Sequence, residues 1–141
     1  MAGKELSDIY CWEIESDKLK IYLASTKRGA LRVGISLKKA PDCETYFRKI
    51  YPSENIVKDA SRNGPLAESV NAALSNRPER HKLPLDIRGT PFQMRVWKAL
   101  KRIPFGQTRT YGEVASMVSN PRSARAVGQA MGRNPLPLVF A

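Results

Sequence analysis

Residues 110–131, TYGEVASMVSNPRSARAVGQAM, read as two short helices joined by a tight turn. Thr110 and Glu113 have the spacing of a capping box, in which a hydroxyl and an acidic side chain three residues on satisfy the free N–H groups of a helix start. Val114, Ala115 and Val118 then point inward. Ser119-Asn120-Pro121 interrupts the pattern, and Asn120-Pro121 begins a further helix. On that helix Ala124, Val127, Gly128 and Met131 fall on one side, and Arg122, Arg125 and Gln129 on the other. One face packs and the other is left for a partner. Two short helices, the second basic and rich in small residues, match a helix-turn-helix. An ordinary helical hairpin on a small domain has the same pattern.

Immediately upstream lies a third helix with equally clear signals. Thr90-Pro91-Phe92-Gln93 places an N-cap threonine before a proline at the first helical position, with glutamine set to close a capping box. Phe92, Val96, Ala99, Leu100 and Ile103 line one face, and Pro104-Phe105-Gly106 ends the run. Charge then separates the hairpin from the rest of the chain. The 141 residues carry 24 Lys and Arg against 13 Asp and Glu, a net charge of +11. Nine of the basic residues (Arg88, Arg95, Lys98, Lys101, Arg102, Arg109, Arg122, Arg125 and Arg133) stand in residues 88–141, against Glu113 alone. Any one of them can be a solvated surface charge. Nine against one points to a polyanion, and nucleic acid is the commonest one.

The first half has a different texture. Ile9–Ile14, Lys20–Ala24 and Ala30–Leu37 are short and rich in β-branched and aromatic residues, as strands are, with turns at Ser16-Asp17 and Arg28-Gly29. Two helices follow, Glu44–Ile50 and Pro65–Leu74, the second with Leu66, Val70, Ala73 and Leu74 at helical spacing. Arg77-Pro78, Leu83-Pro84 and Gly89 then break the pattern, so two domains are expected, residues 1–87 and 88–141. At 42% hydrophobic and 26% charged the composition is globular rather than disordered. No apolar run approaches the roughly 20 residues that span a bilayer, and MAGKELSD lacks the apolar stretch of a signal peptide. Cys11 and Cys43 read as separate thiols of a reducing cytosol rather than as a bridge. With His81 they are too few for zinc; His81, between Arg80 and Lys82, reads as solvated.

Thr90-Pro91-Phe92-Gln93, Val96-Trp97, Ile103-Pro104-Phe105-Gly106, Thr110-Tyr111-Gly112-Glu113, Ala124-Arg125-Ala126-Val127-Gly128 and Asn134-Pro135-Leu136-Pro137 resemble, in order and spacing, the DNA-binding domain of the alkylguanine-DNA alkyltransferases, or methylated-DNA-protein-cysteine methyltransferases. The match is dense over residues 90–140. The resemblance implies an α+β fold: a small N-terminal mixed α/β domain, ribonuclease-H-like, followed by a helical, winged-helix-like domain that carries the helix-turn-helix. It implies a DNA-repair protein that enters the minor groove of double-stranded DNA and flips a guanine alkylated at oxygen 6 out of the stack. Arg125 would fill the gap, a planar cation able to bond the orphaned base; a plain phosphate contact is the alternative. Tyr111 would help turn the nucleotide and line the base pocket, or else pack as a hydrophobic staple. Arg95, Thr110, Arg122 and Gln129 would contact DNA. Asn134 would brace the turn before the reactive strand, or simply end a helix. No cofactor and no metal are implied, nor any membrane; the expected state is a monomer in the cytoplasm, with the nucleoid, or in a nucleus.

In that family Asn-Pro-x-Pro leads through a short apolar strand into Pro-Cys-His-Arg, whose cysteine accepts the alkyl group once and irreversibly. Here Ala141 stands where the proline would. No catalytic residue is therefore assigned, and the 141 residues as given are expected to transfer nothing. Cys11 lies in a predicted strand, and Asp42 opposes thiolate formation at Cys43. Leu136, Leu138, Val139 and Phe140 are side chains that want a core, so the chain reads as a piece of a longer alkyltransferase with its acceptor beyond residue 141. The alternatives are a non-catalytic alkyltransferase-like lesion-binding protein and a generic DNA-binding module.

Overall fold

The computed structural model describes residues 8–77, 82–104, 106–118 and 121–139. Expectations placed on Pro78, His81, Phe105, Ser119, Asn120, Phe140 and Ala141 concern residues outside that set. The chain divides into two compact units between Asp86 and Ile87.

In the first unit, strands β1 (Asp8–Ser16), β2 (Leu19–Thr26) and β3 (Gly29–Leu37) form an antiparallel meander. Asp17 takes a left-handed φ of 51° in the first turn, a conformation that Asp tolerates better than most residues. Gly29 has no such choice, because a Cβ there would lie 2.4 Å from the Pro84 backbone. Its neighbour Ala30 donates to the Pro84 carbonyl at 2.9 Å and accepts from the Asp86 N–H at 2.7 Å, which covers that end of the β3 edge. Helix α1 (Cys43–Ile50) then crosses over, and β4 (Asn55–Lys58) pairs parallel to β1, giving the order β3-β2-β1-β4. Sequence reasoning passed over β4: four residues are too few to show a period of two.

Ile9, Cys11, Tyr22, Ala24, Leu31 and Ile56 form a core that Cys43 and Phe47 of α1 complete. Burying this set contributes about 1.5–3 kcal/mol for each large side chain. Tyr22 and Tyr46 stack at 4.0 Å, with Phe47 edge-on to Tyr46. Helix α2 (Gly64–Leu74) buries Leu66, Ser69, Val70 and Ala72. Leu74, expected inward, is exposed instead: eight residues beyond Leu66, it has drifted about 80° around a helix of 3.6 residues per turn.

The second unit holds α3 (Pro91–Lys101), α4 (Tyr111–Val118) and α5 (Ala124–Gly132). Both predicted capping boxes are present. Gln93 N–H donates to Thr90 Oγ1 at 3.1 Å and Thr90 N–H to Gln93 Oε1 at 2.9 Å; Thr110 and Glu113 make the same exchange at 3.1 Å each way. Val96, Trp97, Ala99 and Leu100 of α3 are buried, whereas Phe92 and Ile103 are half-buried. The last helix starts later than the Asn120-Pro121 signal implied. A 3-10 turn, Pro121–Ser123, precedes it, a common way for a proline-initiated segment to enter an α-helix. The architecture is α+β, as expected. Among the described residues no helix is long and apolar enough to cross a membrane.

Candidate nucleic-acid interface

Helix α5 is held by its small and apolar residues. Val127 and Ala130 are buried, and the indole N–H of buried Trp97 donates to the Ala130 carbonyl at 2.9 Å, tying α5 to α3. That contact fixes which side of α5 faces out. Arg122, Arg125, Gln129 and Arg133 are all exposed. Their spacings of three and four residues place them along one side of the helix and its entry turn. No described residue bonds or pairs with the Arg125 guanidinium.

Tyr111 opens α4 and is 53% exposed. Its ring lies over Gly128, where a Cβ would sit 3.2 Å from Tyr111 Cε2. The bare backbone of α5 thus seats the edge of the aromatic ring, and the structure brings Tyr111 together with the helix that carries Arg125. Gln129 and Arg133 also line an open groove of about 560 Å³ with Thr90, Phe92, Gln93 and Ala126. From sequence, Gln93 was assigned only to the capping box and Arg133 only to the basic excess; placing both in one groove needs the α3–α5 crossing to be known.

The remaining predicted residues are more committed. Arg95 lies over the Phe92 ring at 5.7 Å, an arrangement that steadies a cation without neutralising it. The Thr110 hydroxyl accepts the Glu113 N–H, so its cap role comes first. The amide N–H of Thr110, and then its hydroxyl, hold the Glu113 carboxyl below its ordinary value of 4.5. Asn134 does not cap α5, whose C-cap is Arg133; its side-chain oxygen accepts the Leu136 N–H at 2.9 Å and shapes the turn into the fully buried Leu136. Eight of the nine basic side chains in this unit are exposed, with Lys101 half-buried.

The two cysteines are free thiols, as expected, and both are fully buried. What the sequence did not show is that their sulfurs lie 3.1 Å from each other. The hydrogen bond with Cys43, reinforced by burial, pushes the Cys11 thiol up. The same bond from Cys11 draws Cys43 down. The charge of Asp42 does oppose thiolate formation at Cys43, as expected, but the Cys11 hydrogen bond outweighs it; the Asp42 carboxylate itself caps the Thr45 N–H at 2.9 Å.

Comparison with known proteins agrees with this layout. Residues 91–141 match the family "6-O-methylguanine DNA methyltransferase, DNA binding domain". The inducible methylated-DNA–protein-cysteine methyltransferase of Bacillus subtilis is 36% identical over 115 residues, 82% of this chain and 64% of its own length. A crystal structure of a Mycobacterium tuberculosis OGT variant superposes with a TM-score of 0.72 at 30% identity, covering 96% of this chain and 76% of that one. M. tuberculosis OGT in complex with DNA gives 0.70 at 30% identity, with 93% and 74% covered. The chain thus spans less than two thirds of the Bacillus relative.

Proposed function

The chain belongs to the methylated-DNA–protein-cysteine methyltransferase family, and on that premise we propose that it is the DNA-handling portion of a repair methyltransferase. Its helical unit binds duplex DNA through the minor groove and turns an alkylated guanine out of the stack. The alkyl group then passes from the guanine oxygen to a cysteine beyond residue 141. The observation that carries this reading is the guanidinium of Arg125, exposed on the solvent side of α5 and bonded by none of the described residues. Flipping a base costs a few kcal/mol of lost stacking and pairing, and a planar cation inserted into the gap offsets part of it by bonding the orphaned base. Tyr111, seated on Gly128, stands close enough to the same helix to steer the rotating nucleotide. Arg122 and Gln129 flank Arg125 and contact the strand, while Arg95 and Thr110 approach phosphates from α3 and the start of α4. Asn134 braces the turn leading toward the acceptor strand.

Neither Cys11 nor Cys43 suits the acceptor role, since both thiols are buried within the sheet unit and hydrogen-bonded to each other. The protein works without cofactor, as a monomer, in the compartment that holds the DNA. Binding to an oligonucleotide duplex containing methylguanine, compared with the unmodified duplex, tests the proposal. The lesion-bearing duplex should bind more tightly, and Arg125→Ala should cost that preference severalfold while Lys38→Ala leaves it intact. Equal binding of both duplexes, or equal effects of the two substitutions, would reject it.

A further inference from the structure

Cys11 and Cys43 are 32 residues apart in sequence, yet the fold brings their sulfurs within 3.1 Å. Both sides of this contact are held in place. Cys11 lies on β1, an interior strand, paired with Ala24 of β2. Cys43 is the first residue of α1, and its N–H donates to Glu13 at 2.8 Å. Glu13 is two residues beyond Cys11 on the same strand face, and it is itself fixed by Lys20 at 3.3 Å. The strand that carries one thiol therefore also pins the backbone that carries the other. A disulfide needs its sulfurs about 2.05 Å apart, an approach of only about 1 Å from here.

We propose that Cys11 and Cys43 are a redox pair that closes into a reversible intramolecular disulfide under peroxide, clasping α1 to the centre of the sheet. This goes beyond the repair reading and does not depend on it. The start of a helix favours the thiolate, which makes Cys43 the attacking sulfur and Cys11 the resolving one. The Cys43 thiolate attacks one oxygen of hydrogen peroxide, the O–O bond breaks, and the departing hydroxide takes up the proton Cys43 released, leaving as water. Cys43 is now a sulfenic acid. The Cys11 sulfur attacks it, the S–O bond breaks, and the hydroxyl leaves with the Cys11 proton as a second water. Two thiols have lost two electrons and one peroxide has gained them. Peroxide reaches the pair when the first turn of α1 opens locally. The adjacent resolving thiol and the surrounding core then favour the internal bond over further oxidation or a bridge between molecules.

The 141-residue chain, fully reduced, would be exposed to hydrogen peroxide, unfolded in denaturant with iodoacetamide, and weighed intact. The expected product is lighter by two hydrogens, carries no alkyl cap, runs as a monomer, and reverts with dithiothreitol. Its thermal midpoint should lie several degrees above that of the reduced chain, because a long loop is closed in the unfolded state. Cys11→Ala should instead leave oxygen adducts on Cys43. Two capped thiols after peroxide, sulfinic acid without a cross-link, or disulfide-linked dimers would each overturn the proposal, and all three are read on the parent chain without any variant.

Discussion

Gly128 shows how much a single missing methyl group can decide. In an exposed helix, replacing glycine by alanine normally stabilises by about 0.5–1 kcal/mol. Here the new Cβ would meet the Tyr111 ring at 3.2 Å, and the half-exposed ring must yield. Gly128→Ala should therefore melt no lower than the parent but bind lesion DNA severalfold more weakly, with Tyr111→Ala adding no further loss in a double-mutant cycle. Additive losses would mean that the ring and the helix act separately. Trp97 is the opposite case, a residue whose importance lies in a bond. Trp97→Phe keeps an aromatic ring, smaller than the indole, but loses the buried N–H to Ala130, whose carbonyl still accepts from the Arg133 N–H at 3.1 Å and is not orphaned. Urea unfolding should show a loss of at least about 1 kcal/mol, the hydrogen bond plus the volume left unfilled, yet less than the loss of about 3–5 kcal/mol for Trp97→Ala. The outward direction of Arg125 was legible in the sequence because helical spacing dictates it. The role of Trp97 was not, since its acceptor lies 33 residues away.

Helix starts were the most legible elements, because a cap is a local transaction between residues three apart. Thr90 with Gln93, and Thr110 with Glu113, fold as their spacing demands. β4 and the delayed start of α5 were not legible, since one depends on an open edge of β1 and the other on a 3-10 turn that competes with the α-helix over three residues. The second cap carries a pH signature. Thr110 holds the Glu113 carboxylate below its ordinary 4.5, so the folded protein binds this proton less readily than the unfolded chain. The stability it lends is complete above that ordinary value and is lost as pH falls through the lower folded one. Asp42 and Asp59, each held down by backbone N–H bonds, shift the same way, so the comparison must be differential. Glu113→Gln keeps an acceptor for the Thr110 N–H and has no proton to gain. Its melting midpoint should track the parent from neutral pH to about 5 and then fall less steeply. Parallel curves down to strong acid would show that Glu113 contributes no pH dependence.

Across the whole molecule, charge and chemistry are divided between the two units. The first holds fifteen basic and twelve acidic residues, several of them paired, as Lys20 with Glu13 and Lys38 with Glu15. In the second, Glu113 stands alone against nine cations, so most of that charge has no internal counterpart within its own unit. This division was plain from composition, whereas the thiol contact was hidden by a separation of 32 residues. A duplex releases condensed counterions for each phosphate neutralised, and the log–log dependence of affinity on salt has a slope of about −0.9 per contact. Substituting Arg122 or Arg133 by alanine should each flatten that slope by about one contact while weakening binding to lesion and normal duplexes alike. Arg125→Ala should flatten it by no more than that, yet fall hardest on the lesion duplex, because in the role proposed for it Arg125 contributes most where a base has left. Lys18, an exposed charge of the sheet unit, should leave the slope unchanged when replaced. A slope that responded equally to Lys18 and Arg122 would spread the binding surface over both units and remove the electrostatic case for the helical one.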